Sequence, residues 1–262
     1  MNKLPIKLLQ CPGTNIARGR NIAVAHASHD VIAGTDGGCK LDKDWLNNIT
    51  KPFLAQPETD VVSGAYLPWH TTVFEEVASC LIFPDVKRIS VNFLPSSRSI
   101  AYKKSAWERV NGYPEWLETA EDTYFDLKCK DAGLRFALVR NAIVYWRVRR
   151  NLHGVAKQFY RYAEGDGLAF LFPRRYLPRC MAAMLFFLFS FFYSHLYFWL
   201  FLLSSVAAVT WFKHLQKVVH PSVKRLGIAF EVALAIEVGL FSGFISGILQ
   251  HARNRIRRSR HN

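Results

Sequence analysis

Residues 117–133 read LETAEDTYFDLKCKDAG, and how that stretch is taken decides the fold. Glu121 and Asp122 stand side by side where a helix begins. Thr119 is placed to cap that helix, and Tyr124, Phe125, Leu127 and Lys128 alternate faces until Gly133 stops it. A carboxylate pair in a first turn feels the positive end of the helix dipole, which favours its ionised form. An ionised Asp at the mouth of a pocket is what a general base needs. Acidic residues are also common in first turns merely as caps, so the company of the pair decides between the two.

Upstream, residues 6–9 read as a short strand running into Cys11-Pro12-Gly13. Thr14 or Asn15 then caps a helix, IARGRNIAVAHA, with Ile16, Ala23 and Ala27 facing a core. Residues 31–35 are an apolar run fit for a buried strand, which delivers Asp36 at its C-terminal end, where α/β sheets bind ligands. Gly37-Gly38 lets the backbone come close to whatever Asp36 holds, although Asp is also a common turn former. Helices are expected over 44–53, 71–83 and 105–110, with strands over 60–65 and 99–102. Downstream of the acidic helix, 135–139 and 142–146 read as two more strands. Strands alternating with helices give an α/β protein with a mixed, mostly parallel sheet.

Beyond about Pro178 the composition changes. The chain has 262 residues, 50% of them hydrophobic, including 20 Phe, and a net charge of +14. Residues 181–211 carry no charge, and a straight helix of that length is about 46 Å against a ~30 Å hydrocarbon core. It tilts, extends into the interface, or folds as a hairpin near Ser194-His195. Residues 226–250 form a second apolar stretch, with Gly239, Gly243 and Gly247 at a spacing that lets another helix approach. A carboxylate at mid-bilayer costs roughly 2.5–3.5 kcal/mol, so Glu237 is expected to be protonated, paired or out of lipid. Arg147, Arg149, Arg150, Lys157, Arg161, Arg174, Arg175 and Arg179 precede the apolar part; Arg253, Arg255, Arg257, Arg258 and Arg260 follow it. Basic clusters abutting apolar segments suggest anionic headgroups, and too few aromatics are interleaved with this charge for nucleic acid. Five widely spaced cysteines without a CxxC argue against a disulfide framework or zinc site and for a reducing compartment. Residues 1–10 hold no signal-peptide core, so the soluble part is expected to face the cytoplasm.

The order of motifs resembles family-two glycosyltransferases, inverting enzymes with the Rossmann-like GT-A fold. The resemblance is carried by Arg20-Asn21, Ala27, Asp30 and Asp36; by 100–104 and Asn111-Gly112-Tyr113; by Glu121-Asp122; and by Gln158-Phe-Tyr-Arg161-Tyr162. It covers about residues 6–165. The fold it implies is a GT-A-like mixed sheet with flanking helices, followed by C-terminal transmembrane helices. It implies a partial GT-A domain over 1–150, a basic juxtamembrane segment over 151–179, membrane segments over 180–250 and a basic tail over 251–262. Two further βα units are implied ahead of residue 6, which a longer reading frame or a partner would supply. The implied function is inverting transfer of a sugar from a nucleotide-sugar donor to a saccharide or lipid-linked acceptor; a non-catalytic subunit or a membrane scaffold is the alternative. Asp122 would be the base and Glu121 would orient the acceptor, while Arg20, Asn21, Asp36, Gln158 and Arg161 would bind the donor. Tyr162 and Trp116 would face the acceptor. Asp36 would help hold Mg2+ or Mn2+, with a single carboxylate in the Asp36-Gly37-Gly38 motif. The expected setting is the inner membrane, multi-pass, with lipid contacts and a second polypeptide or homo-oligomer through the Gly239/Gly243/Gly247 face.

Overall fold

A computed structural model describes residues 6–90, 93–192, 218 and 220–259. The elements run α1 (Ile16–Ala25), β1 (Val31–Gly34), β2 (Lys40–Leu41), α2 (Trp45–Ala55), β3 (Val61–Pro68) and α3 (Val73–Ile82). They continue with β4 (Ile100–Lys103), α4 (Lys104–Arg109), α5 (Glu121–Asp131), β5 (Phe136–Trp146), α6 (Leu152–Leu168), α7 (Pro173–Phe192) and α8 (Val223–Ser259). The five strands form one sheet in the order β1-β4-β3-β5-β2.

That sheet is mixed, but it is not mostly parallel. β4 pairs antiparallel with both β1 and β3, and β2 pairs antiparallel with β5. β3 and β5 run in the same direction, with Val61 N–H donating to Arg135 O and Trp69 N–H to Trp146 O. Three sequence expectations are corrected. Residues 6–10 form no strand, and Ile6 and Leu8 are exposed. The two strands expected at 135–139 and 142–146 are one, because Arg140 and Asn141 sit exposed in continuous strand rather than in a turn. In α1 the residues facing the core are Ala17 and Val24, not Ile16, Ala23 and Ala27.

The chain divides into two compact units. The first comprises Met1–Asp36, Lys43–Ala65 and Ser90–Ala142. Its core gathers Ala17 and Val24 of α1, Val61 of β3, Ile100 and Tyr102 of β4, and Phe125 and Cys129 of α5. The second comprises Gly37–Asp42, Tyr66–Ile89 and Ile143–Asn262. Its core joins Val77, Ala78 and Leu81 of α3, Val155 and Ala163 of α6, and Val232, Ile236, Leu240 and Phe244 of α8.

Within the second unit, α6 and α8 touch backbone to backbone. A methyl group on Gly239, Gly243 or Gly247 would lie 2.6, 2.1 or 2.2 Å from the carbonyl oxygens of Ala156, Tyr160 and Glu164. The glycine face is therefore filled by α6 of the same chain, which replaces the expected second polypeptide or homo-oligomer there. Glu237 is paired, accepting from Arg179 Nε at 2.6 Å and Nη2 at 2.9 Å. α8 is long and apolar enough to cross a membrane. The run 181–211 lies outside the described residues from 193 onward.

Candidate active site

In α1, positions 17, 20, 21 and 24 share one helical face, so Arg20 and Asn21 project from the same side as the buried Ala17 and Val24. Asn15 caps the helix by accepting from Arg18 N–H at 2.9 Å, while its amide donates to Glu115 O at 2.6 Å. Asn21 holds the next loop from two directions. Its amide donates to Tyr113 O at 2.9 Å, and its Oδ1 accepts from Tyr113 N–H at 2.8 Å and Trp107 Nε1 at 3.0 Å. Gly112 adopts φ +63, and a Cβ there would meet Asn21 Oδ1 at 2.6 Å and Trp107 Nε1 at 2.7 Å, so the turn requires glycine.

This scaffold aims Arg20. Its Nη2 reaches Asp36 Oδ1 at 2.7 Å, two residues beyond β1, and its Nη1 reaches Glu121 Oε1 at 2.5 Å, in the first turn of α5. The guanidinium also stands 5.4 Å from the centre of the Tyr113 ring. Burial works against the charge on Arg20, but Glu121, Tyr113, Asp36 and Asp122 outweigh it, so the guanidinium is held more firmly protonated than usual. Burial and then the adjacent Asp122 raise the Glu121 carboxyl above its ordinary range, against the pull of Arg20.

Asp122 is next to Glu121, with Oδ1 accepting from Thr123 N–H at 2.8 Å and Oδ2 from Ser97 N–H at 3.4 Å. The helix start is not capped by Thr119. Ala120 is the cap residue, in the left-handed region at φ 63 and without a side-chain cap bond. Two further groups around Asp122 escaped the sequence reading. Ser97 is buried and its hydroxyl has no partner among the described residues. Asp126, one turn along α5, is 0% exposed and both of its oxygens lack partners there. Burial first, and Asp122 second, push its carboxyl well above the usual range. The four-residue spacing from Asp122 was the available signal.

Arg20, Asp36 and Glu121 are thus brought into direct contact with Asp122 alongside, and Asn21 is joined to them through the Tyr113 loop. Trp116 is exposed, with its ring edge-on to Tyr124 at 5.5 Å. Gln158, Arg161 and Tyr162 lie on α6 in the second unit, where Gln158 Nε2 donates to Tyr162 Oη at 2.7 Å. Gln158 Oε1 is buried without a partner among the described residues, and Tyr162 is exposed.

Among the described residues no group of three or more His, Cys, Asp or Glu side chains could hold a metal by itself. Asp36 is one carboxylate, with a side chain 35% exposed and one oxygen on Arg20. That set fits a hard cation held chiefly by substrate phosphates, which needs only one or two protein carboxylates. It does not fit a cage made of protein ligands alone.

The family follows from the sequence. Residues 39–219 match the profile of glycosyl transferase family group 2, more than half of the chain, and the chain belongs to that family. The matched stretch includes Glu121, Asp122, Gln158 and Arg161; Arg20 and Asp36 precede it. The O-antigen chain rhamnosyltransferase RfbN of Salmonella typhimurium strain LT2 is 26% identical over 160 residues, 55% of this chain and 49% of its own length. The chain therefore spans about half the length of that curated relative. The mannosyltransferase PcManGT from Pyrobaculum calidifontis, solved with GDP-Man and Mn2+, aligns over 91% of this chain and 67% of its own, at 18% identity and a TM-score of 0.46. Residues 1–349 of S. aureus TarS, solved with UDP-GlcNAc, align over 94% of this chain and 76% of that one, at 15% identity and a TM-score of 0.43.

Proposed function

We propose that the chain transfers a sugar from a nucleotide-sugar donor to a saccharide or lipid-linked acceptor, with inversion. The observation that carries this reading is the Arg20 bridge, which joins two acids, Asp36 just past β1 and Glu121 in the first turn of α5, through one guanidinium beside Asp122. Asp122 is the base. It takes the proton of the acceptor hydroxyl as that oxygen attacks the anomeric carbon, and the electron pair of the breaking bond leaves with the nucleoside diphosphate. Glu121, fixed by Arg20, orients the acceptor. Arg20 and Asn21 hold the donor side in place, as do Gln158 and Arg161, with arginine suited to phosphate oxygens. Trp116 and Tyr162 offer aromatic faces to the acceptor sugar.

Asp36 would hold Mg2+ or Mn2+ together with the donor phosphates, and the cation would offset the charge of the diphosphate leaving group. Residues 151–179 and the apolar stretches after them attach the enzyme to the cytoplasmic face of the inner membrane, next to a lipid-linked acceptor. Transfer is tested with a panel of UDP-, GDP- and dTDP-sugars, Mn2+ and membrane lipid extract, reading release of nucleoside diphosphate. Asp122→Asn is expected to lower turnover by about 10²–10⁴-fold while donor binding by calorimetry persists. Unchanged turnover in that variant overturns the assignment of the base.

A further inference from the structure

Length and hydropathy alone describe α8 as a membrane-crossing helix, yet its packing places charged helices along it. α6 lies against the glycine face so closely that its carbonyl oxygens fill the space of three missing methyl groups. The contact is reciprocal, since a Cβ on Gly167 of α6 would lie 2.5 Å from Phe244 O and 3.0 Å from Ile248 N. Wherever residues 239–248 of α8 go, residues 156–167 of α6 go with them. Those residues include Lys157, Arg161, Glu164 and Asp166. Glu164 is a polar hub of the contact, its Oε1 accepting from Ser246 at 3.0 Å, Gln250 at 2.8 Å and Tyr160 at 3.2 Å. α3 is fastened to the start of α8 through Arg225, whose Nη1 and Nη2 reach Glu76 at 2.8 and 2.9 Å. Crossing the bilayer at right angles would carry the charges of α6 to mid-membrane depth, each at the penalty described for an intramembrane carboxylate.

The other side of α8 is different. Leu234, Val238, Ile245, Leu249 and Ile256 are exposed. At 3.6 residues per turn they fall within a ~60° sector, about 150° from the glycine face, and the row is roughly 33 Å long. Arg253, Arg255 and Arg257 stand at its C-terminal end, and exposed Glu231 limits it at the other. A narrow apolar row opposite a protein-covered face, with arginines beside it, matches an anionic bilayer surface rather than the middle of one.

We infer that α8 lies along the membrane surface, with the row from Leu234 to Ile256 in the outer acyl layer and α6 on the water side. This rests on the membrane attachment in the proposed function and not on its transfer chemistry. It makes the docked pair α6–α8 the platform that carries Gln158, Arg161 and Tyr162 close to the bilayer surface.

The test uses the full chain in oriented inner-membrane vesicles, with its five cysteines replaced by serine and one new cysteine at Val223 or at Arg257. A membrane-impermeant maleimide is expected to label both positions from the same side, to the same extent before and after permeabilisation. Labelling of the two ends from opposite sides overturns the in-plane placement and leaves membrane attachment standing. Recovery of the chain in the soluble fraction overturns both. A parallel arm replaces Val238 and Ile245 with glutamine. Same-side labelling is expected to persist, with quenching of a Leu249→Cys-bound fluorophore by shallow brominated phosphatidylglycerol reduced severalfold. Unchanged quenching, or a change of oligomeric state instead, overturns the lipid as occupant of the row.

Discussion

Two carboxylates, one in each compact unit, are completely buried and meet opposite fates. Glu75, at the start of α3 in the second unit, accepts from Thr71 N–H and Oγ1 at 2.8 and 3.0 Å and from Thr72 N–H at 3.2 Å. Arg147 adds Nε at 2.6 Å and Nη2 at 3.0 Å. Its carboxyl is pulled down to about 2, first by the Arg147 hydrogen bond and against the effect of burial. Asp126, on α5 in the first unit, has no such donor among the described residues, and burial pushes it the other way. A buried carboxyl group that is saturated with donors serves cohesion. One without a donor among the described residues, a turn away from the proposed base, is exceptional, since native structures contain few such groups.

The largest effect should come from breaking the saturated site. Glu75→Gln leaves Arg147 facing a neutral amide and weakens the capping box with Thr72. Because removing one partner strands the other charge, destabilisation of about 3 kcal/mol is expected in urea titration. The pH dependence has a defined sign. Glu75 has a depressed folded value, so its contribution is present above the unfolded value of roughly 4.3 and is lost as pH falls through about 2. The variant should lack that part of the acid destabilisation; if both proteins lose stability identically there, Glu75 is not the saturated group described.

Gly243→Ala comes next. Its new methyl group would stand 2.1 Å from Tyr160 O, a backbone atom that cannot rotate away. Separation of α6 from α8 is expected to cost about 2–3 kcal/mol. Gly227, in the same helix, has nothing within 4 Å of such a methyl group. Alanine there should instead stabilise by about 0.5–1 kcal/mol through helix propensity. Equal thermal midpoints for the two variants would remove the packing account of the glycine row.

Much of this molecule was legible in the sequence, and the failures have physical causes. The helices around Ala78, Ala106 and Phe125 followed from periodicity, as did the placement of Asp36 just past a strand. The face of α1 was misread because Arg20 and Asn21 occupy its inward side, and a polar pair on a buried face shifts an apolar count by one residue. The two residues were singled out only by the family resemblance, not by their place on that face. Strand direction was missed because β4 inserts antiparallel between β1 and β3, a choice made by tertiary pairing that local pattern does not encode. The glycine row was seen, but whether the chain itself or a partner packs on it stayed open, since spacing reports that a surface admits a helix and not which one. Asp126 offered only its four-residue spacing from Asp122 and Ser97 offered nothing, because burial without a partner is a property of the folded surroundings alone.

The last and smallest effect tests Asp126. Replacing it with Asn keeps the shape of the side chain and removes the possibility of a charge. An acid whose folded value is raised contributes stability fully only below its unfolded value, roughly 3.9, and loses it as pH rises toward the folded one. Asp126→Asn should therefore match the parent protein at pH 3.5 and exceed it at pH 8, by about 1–2 kcal/mol, the scale of one buried group without a hydrogen bond. The stabilised variant should at the same time change the alkaline limb of the transfer pH profile, because only there would Asp126 itself ionise, one turn from the proposed base. Stability gained without any change in that profile would make Asp126 a packing fault rather than a companion of the base. A loss of stability at pH 8 would show that the carboxylate has a partner in solution, and the contrast with Glu75 would vanish.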